Sequence, residues 1–412
     1  MFIELLSDII LSIREQKLRT LLTGFGVAWG IFILILLLGA SGGLEKGVLQ
    51  IFSGFAQNSI WFYGGNVTAE IGKNSYSRPV VFDEDILYNL KRNYSDKIES
   101  ISPEIQKHTE VGHKEKKIHT TTKGVLPDYF KIKILQAAHG RLINEQDDKN
   151  QRNMAVIGER IKDQLFGKQN ALGADIVIDN HVFTIIGVLK SGTIFDQAEQ
   201  NSIFIPLSAG IKLLQLNPNF NVIGLTLKSG INTKTAESHI SNYLAHQLLF
   251  DPSDSNALYV VNYDQQVKSF QKLFSGLNIF FWFIGICLLL SGMVGVTNIM
   301  FVIVNERTSE IGIRKAIGAT NKNILNMILT ESAIITLLAG IIGIIIGAII
   351  ISMGSYLLDK IVDKDFIIKD ISINWITVVG ALVILVLSGL AAGLIPAKRA
   401  TEIEPIDAIR NQ

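Results

Sequence analysis

The sequence predicts an α-helical membrane protein with four transmembrane helices, one before and three after a large two-lobed α+β extracytoplasmic domain. Two observations support this fold class. Charged residues make up 18 % of the 412 residues, against about 25 % in an ordinary soluble domain, and the deficit lies in four stretches without any charge. These stretches are residues 20–44, 273–305, 332–358 and 371–397. The long segment between the first two stretches has ordinary charge and strand-like patterns.

Each charge-free stretch is long enough to cross a membrane. A bilayer core about 30 Å thick needs about 20 apolar residues in a helix that rises 1.5 Å per residue. We predict transmembrane helices over residues 20–44, 273–305, 328–358 and 371–397. The second is the longest, so we expect it to continue out of the membrane as a stalk.

Lysine and arginine in the short connections predict the orientation, because these residues are enriched in cytoplasmic loops. They occur before the first span, between the second and third, and after the fourth: Arg14, Lys17, Arg19, Arg307, Arg314, Lys315, Lys322, Lys398, Arg399 and Arg410. We therefore expect both termini in the cytoplasm, with a cytoplasmic loop over 306–322, a cytoplasmic tail over 398–412 and residues 45–272 outside. The amphipathic pattern of residues 1–19 predicts a helix on the cytoplasmic membrane face.

The segment 45–272 reads as an α+β domain. Runs rich in Val, Ile and aromatic residues predict strands over 59–63, 154–157, 175–178, 182–188, 202–205, 222–227 and 258–261. Helical patterns cover 83–93, 159–166 and 233–249, with Asp83 and either Asn232 or Thr233 as N-caps. We expect two lobes, the second of which, about 124–229, is inserted into the first.

The sequence contains no pattern typical of a catalytic or metal site. No Gly-x-x-x-x-Gly-Lys-Ser/Thr phosphate loop occurs, so we expect a chain that is not an enzyme and holds no cofactor. His108, His113 and His119 fall in a Lys-rich, hairpin-like run without a further ligand at metal-binding spacing. The single cysteine, Cys287, excludes an intramolecular disulfide, and the net charge of +1 gives no basic surface for nucleic acid.

The most informative segment is the loop after the second span, which reads ERTSEIGIRKAIGAT. Its pattern predicts a short amphipathic helix with Ile313 and Ile317 on one face and Glu310 paired with Arg314. Small residues among these side chains would let the helix sit in a groove of another protein. From the pattern alone, a segment lying on the lipid headgroups is the alternative.

With its flanking spans, this loop resembles the permease subunits of the MacB and FtsX superfamily of ABC transporters. Three further segments resemble the same subunits in the same order: LRTLLTGFGVAWGIFILILLLGASGG, the run from HGRLINEQDD to ALGADIVIDNHVFTIIGVL, and PAKRATEIEPIDAIR. The resemblance implies that the loop is the coupling helix, which docks on a cytoplasmic ATPase. The residues assigned to this contact are Glu306, Arg307, Glu310, Ile311, Ile313, Arg314, Lys315, Ile317 and Gly318.

The resemblance also implies a location in the bacterial inner membrane, with residues 45–272 in the periplasm. It implies partners as well. These are a cytoplasmic ATPase dimer that binds ATP and Mg²⁺, a second permease copy that is identical or different, and a periplasmic adaptor leading to an outer-membrane duct. The efflux protein of the superfamily carries its ATPase in front of the first span. This sequence begins almost directly at the amphipathic segment and has no phosphate loop, so we expect a separate ATPase subunit.

Three functions remain open within the superfamily. The chain is expected to serve tripartite efflux of macrolides, peptides or toxins, with lipoprotein release as the alternative and regulation of a cell-wall hydrolase, without transport, as the third reading. The size of the outer domain favours the first two. Since charges inside spans usually mark polar pathways and these spans lack them, we expect transmission of motion rather than passage between the helices.

Glycines spaced four residues apart indicate where helices approach closely. Three such pairs occur: Gly26 and Gly30, Gly343 and Gly347, and Gly389 and Gly393. This spacing serves either dimerisation or packing within one subunit. We predict a twofold-symmetric dimer with the first and second spans at the seam.

Overall fold

A computed structural model describes residues 17–71, 74–190, 197–216, 218–361 and 375–404. The amphipathic segment before residue 17 and the tail from residue 405 lie outside the described residues, as does the start of the predicted fourth span. The chain divides into two compact units. The helical unit comprises Met1–Gly47 and Lys272–Gln412, and the globular unit comprises Val48–Gln271.

In chain order, the first elements are helix α1 (Lys17–Ile51), a 3₁₀ turn (Phe52–Gly54), β1 (Ser59–Gly64), β2 (Asn66–Ile71), β3 (Asn74–Pro79), α2 (Glu84–Asn93), β4 (Ile98–His113), β5 (Lys116–Val125), α3 (Asp128–Ile132), β6 (Ala137–Gly140) and α4 (Glu145–Lys149). There follow β7 (Met154–Ile157), α5 (Glu159–Phe166), β8 (Asp175–Ile178), β9 (His181–Leu189), α6 (Gln197–Gln200), β10 (Ser202–Pro206), α7 (Leu207–Leu213), β11 (Val222–Leu227), α8 (Thr233–Leu248) and β12 (Leu258–Asn262). The last elements are α9 (Tyr263–Glu306), α10 (Thr308–Ala316), α11 (Asn321–Ile361) and α12 (Trp375–Thr401).

Four of these helices, α1, α9, α11 and α12, are long and apolar enough to cross a membrane. They confirm the predicted arrangement of one span before the globular unit and three after it. The helices extend beyond the charge-free stretches because helix geometry does not end where apolar composition ends. Helix α9 is the longest of the four, with 44 residues, and at 1.5 Å per residue it is about 66 Å long.

The globular unit is built on one mixed sheet. Among the described residues it has ten strands in the order β12-β1-β11-β4-β5-β10-β7-β9-β6, with β8 paired to β4 and β9. The β5–β10 and β7–β9 pairs are parallel and the other pairs are antiparallel. Because side chains alternate along a strand, Ile60 and Phe62 of β1 enter one core with α2, α5 and α8, and Trp61 enters a second core with α3.

Several predicted elements lie at their predicted positions. β7, β8, β11 and α5 have the predicted bounds, and Asp83 and Asn232 are the N-caps of α2 and α8. The predicted inserted lobe, 124–229, includes β11, but β11 pairs with β1 and β4. Strand order is set by contacts distant in sequence, and the structure gives Val48–Gln271 as one compact unit, so the bounds of the lobe stay a prediction.

Candidate coupling site

The predicted coupling segment forms the short helix α10 between the long helices α9 and α11. The helix covers Thr308–Ala316 and is shorter than the predicted 306–320 segment. It ends because Gly318 adopts a φ of +105°, which favours glycine and turns the chain away from helical geometry.

The inner face of α10 is held against its own chain. Ile311 is only 2 % exposed and packs in the core of the helical unit. Arg307, just before the helix, donates from Nη1 to both carboxylate oxygens of Glu331 in α11, at 3.3 Å. Lys315 donates from Nζ to the Thr401 and Ile403 carbonyl oxygens, at 2.6 and 3.0 Å, where the helix dipole of α12 favours a positive charge.

These contacts divide the predicted ATPase-contacting residues into two sets. Ile311, Arg307 and Lys315 are engaged with α11, α12 or the core, and an amphipathic pattern does not reveal this because the partners lie on other helices. The predicted ion pair is present, with Arg314 Nη2 lying 2.6 Å from Glu310 Oε1. Arg314 also donates from Nη1 to Met327 Sδ of α11 at 2.7 Å.

The outer face of α10 carries the exposed set. Ile313 is 48 % exposed and Ile317 is 82 % exposed. Glu306, Glu310 and Gly318 are also exposed. The result is a small surface that combines two branched apolar side chains with carboxylates, on a helix whose opposite face is fixed. We call the set Glu310, Ile313 and Ile317 the coupling surface.

All six predicted packing glycines contact helices of the same chain. Gly26 and Gly30 approach Gly292 and Leu288 of α9, Gly343 and Gly347 approach Ala28 and Ile35 of α1, and Gly389 and Gly393 approach Thr336 and Ser332 of α11. A Cβ atom at Gly343 would collide with the Ala28 carbonyl oxygen. The glycine pattern therefore marks packing within the helical unit, and the seam of the predicted dimer stays a prediction.

A buried ion cluster in the globular unit was not apparent from the sequence. Lys123 Nζ lies 3.0 Å from Glu104 Oε1 and 3.3 Å from Glu199 Oε1, and Lys133 Nζ lies 3.2 Å from Glu199 Oε1. The Tyr129 hydroxyl lies 3.1 Å from Glu199 Oε1 and 3.3 Å from Glu104 Oε2. The four charged side chains are only 5–14 % exposed. They come from separate elements, so no local motif signals them.

Electrostatic interactions within the cluster keep Lys123 and Glu199 charged. Burial lowers the pKa of Lys123, but the Glu104 and Glu199 carboxylates outweigh it and raise that pKa above its ordinary value. Burial likewise raises the pKa of Glu199, but Lys133 and Lys123 outweigh it, so its pKa lies below the ordinary range. Burial and then the two carboxylates raise the pKa of Tyr129 well above its ordinary value. Lys123 therefore carries its positive charge and Glu199 its negative charge at neutral pH.

Comparison with known proteins assigns the chain to a family. The MacB-like periplasmic core domain matches residues 20–243, and the FtsX-like permease C-terminal domain matches residues 282–405. The chain is 26 % identical over 409 residues to the macrolide export ATP-binding/permease protein MacB of Neisseria gonorrhoeae. The matched region covers 99 % of this chain and 61 % of that protein. It is 28 % identical over 401 residues to the uncharacterized ABC transporter permease YknZ of Bacillus subtilis. This match covers 97 % of this chain and 96 % of that protein.

A solved structure is also similar. The periplasmic region of MacB from Actinobacillus actinomycetemcomitans matches 53 % of this chain and 95 % of its own length, with 17 % identity and a TM-score of 0.44. The chain spans about three fifths of the length of the MacB relative from Neisseria gonorrhoeae, since it covers 61 % of it.

Proposed function

The chain belongs to the family of ABC transporter permeases that have a MacB-like periplasmic core domain and an FtsX-like C-terminal domain, and from this premise we propose its function. It is the membrane subunit of a transporter whose partner ATPase binds ATP and Mg²⁺ in the cytoplasm. The chain converts the ATP-driven motion of that partner into motion of its periplasmic domain. It works as a dimer, and both of its termini are cytoplasmic.

The observation that carries the proposal is the two-sided construction of α10. Its outer face presents Ile313 and Ile317 to solvent, and exposed apolar side chains beside charges are typical of protein contacts. Its inner face is tied to α11 through Arg307 and to the end of α12 through Lys315. A partner that moves the coupling surface therefore acts on two spans at once.

Packing between the spans supports transmission of motion rather than passage of a solute. The hydroxyl of Ser332 donates to the Gly389 carbonyl oxygen at 2.7 Å, and the hydroxyl of Thr297 donates to the Ala392 carbonyl oxygen at 3.0 Å. These two hydroxyl groups are used in contacts between helices. The named function of the Neisseria gonorrhoeae relative, macrolide export, supports export as the task of this chain. We propose that it serves tripartite efflux, with a periplasmic adaptor and an outer-membrane duct as further partners.

The coupling surface is tested by changing it without changing the inner face of α10. The variant combines Glu310→Lys with Ile313→Asp, which reverses a charge and places a carboxylate in the apolar contact. We expect it to insert in the membrane normally but no longer to co-purify the ATPase. The permease-stimulated ATP turnover is expected to fall at least tenfold. The measurement is affinity purification from membranes followed by an ATPase assay.

The matched control makes corresponding changes, a reversed charge and an apolar side chain replaced by Asp, on an exposed surface of the globular unit: Glu115→Lys with Val182→Asp. It is expected to keep the ATPase and its turnover. A coupling-surface variant that recruits and stimulates the ATPase as well as this control does would show the assignment of α10 to be wrong.

A further inference from the structure

The end of α1 and the beginning of α9 meet inside the globular unit. Phe55, which follows the turn after α1, stacks on Tyr263, the first residue of α9, with ring centroids 3.9 Å apart and planes 16° apart. Phe52 and Phe270 form a second contact, with centroids 5.6 Å apart. These four aromatic residues, which we call the aromatic junction, join the two helix ends.

Lys133 connects the aromatic junction to the buried ion cluster. Its Nζ lies 4.1 Å from the ring centroid of Phe55 and 4.8 Å from that of Trp61, within the range of a cation–π interaction. The same Nζ lies 3.2 Å from Glu199 Oε1. The neighbouring backbone is also fixed, because the Ala56 amide donates to the Ile132 carbonyl oxygen at 3.0 Å.

The ion cluster carries this connection into the sheet. Glu199 is shared by Lys133 and Lys123, and Lys123 reaches Glu104 in the middle of β4. Because the groups are buried, they are held by each other rather than by water, and a shift of one ammonium group leaves a carboxylate incompletely paired. Such clusters favour discrete arrangements over gradual deformation.

We propose that Lys133 is the positioning residue through which a displacement of the aromatic junction reaches β4 and β5. This inference rests on the proposed function, because the displacement is the one driven by ATP. An apolar side chain at position 133 would still cover Phe55 and Trp61, but it would lose the link to Glu199. The charge of Lys133 is therefore the part of the residue that transmits.

Three variants separate transmission from stability. Lys133→Met keeps the length of the side chain and removes the charge, but it leaves the buried Glu199 carboxylate with only one of its two lysines, Lys123. Lys133→Met combined with Glu199→Gln removes one charge of each sign, which restores the balance. Lys133→Arg keeps the cation. The control is Lys131→Met, since Lys131 lies two residues away with a side chain 70 % exposed and pairs with Asp128, three residues before it.

The experiment uses the full chain with its co-purified ATPase in lipid nanodiscs, labelled with 5-fluorotryptophan. Trp61 lies between Phe55 and Tyr129, so its ¹⁹F resonance, assigned with Trp61→Phe, reports on the cluster. We expect this resonance to shift between the ADP state and the state with a non-hydrolysable ATP analogue. The shift is expected to persist in Lys133→Arg and Lys131→Met and to be lost in both variants that contain Lys133→Met, while ATP turnover stays within about twofold.

The inference is overturned if the balanced double variant folds and retains the nucleotide-dependent shift, or if the unmodified chain shows no shift with its ATPase bound. In both cases the ATPase is still recruited, so the proposal that the chain is the membrane subunit of an ABC transporter stands. Failure to recruit any ATPase overturns the proposed function and this inference together.

Discussion

The interiors of the two units of this chain are stabilised in different ways. The globular unit buries Lys123 and Glu199 with side chains 7 % and 5 % exposed and pairs them with opposite charges. The spans of the helical unit contain no charge over the four apolar stretches, and glycine allows one helix to approach the backbone of the next, as Gly343 does at Ala28.

The difference follows from the surroundings of each unit. A domain exposed to water excludes water from its core, and charges are tolerated there when they are paired and hydrogen-bonded. Between membrane helices the hydrophobic effect contributes little, and close contact of small residues contributes more. Over its charge-free stretches the helical unit therefore depends on shape, whereas the interior of the globular unit also depends on charge. The pair of Arg307 with the buried Glu331 lies outside those stretches. A change of charge is expected to destabilise the globular unit more than the helical unit. A change of side-chain size is expected to destabilise the helical unit more.

The largest effect is expected in the ion cluster. Lys123→Met leaves Glu104 and Glu199 short of a cation, and removing one partner of a buried ion pair costs roughly 3–5 kcal/mol. The control is Lys117→Met, whose pairing with Glu110 is exposed, and no resolvable change is expected there. Urea unfolding of the full chain in nanodiscs measures the two free energies, followed by the fluorescence of Trp61 in a background where Trp29, Trp282 and Trp375 are replaced by Phe. Equal effects in the two variants would contradict the role assigned to burial.

A smaller effect is expected in the helical unit. Gly343→Ala places a Cβ against the Ala28 carbonyl oxygen, and overpacking of this kind costs roughly 1–3 kcal/mol. Gly354→Ala in the same helix is the matched control, since no atom lies within 4 Å of its added Cβ. Thermal unfolding in detergent should show a lower midpoint for the first variant alone. If both variants melt like the unmodified chain, α1 and α11 are not in backbone contact.

The smallest effect concerns acid stability at Asp147. Burial raises the pKa of Asp147, but hydrogen bonds from Arg141, from the Asn144 amide and from Arg152 outweigh it and lower that pKa below its ordinary value. A depressed pKa contributes stability above the unfolded-state value, about 3.9 for Asp, and this contribution is lost as the pH falls through the folded-state pKa.

The corresponding variant is Asp147→Asn. The difference in unfolding free energy between the unmodified chain and this variant should be constant near pH 7 and shrink below about pH 4. A difference that is the same at both pH values would show that the charge of Asp147 contributes nothing. The measurement is urea unfolding at a series of pH values.

Local patterns predicted much of the fold. The strands β7, β8 and β11 are short runs of β-branched residues bounded by turn residues, and such runs are read from neighbouring positions alone. The central strand β4 was recognised only as part of a hairpin-like run. It contains Pro103, which usually argues against a central strand because proline cannot donate to the ladder, and its exposed side chains are polar.

The sites were less predictable because their contacts are distant in sequence. The i,i+4 pair of Glu310 and Arg314 follows from helix geometry and was predicted. The link from Lys315 to the Thr401 carbonyl oxygen joins residues 86 positions apart, and no spacing rule identifies it. The glycine pairs show the same limit, since the spacing reveals close approach but not the helix that approaches.

The central claim is that ATP-driven motion reaches the periplasmic domain through the helices α1 and α9. The most direct test is the distance between spin labels at Gln266 of α9 in the two copies of a dimer, with Cys287→Ser to remove the native thiol. We expect double electron–electron resonance with the ATPase bound to give different distance distributions in the ADP state and in the state with a non-hydrolysable ATP analogue. One unchanged distribution in both states, with the ATPase active, would contradict this claim.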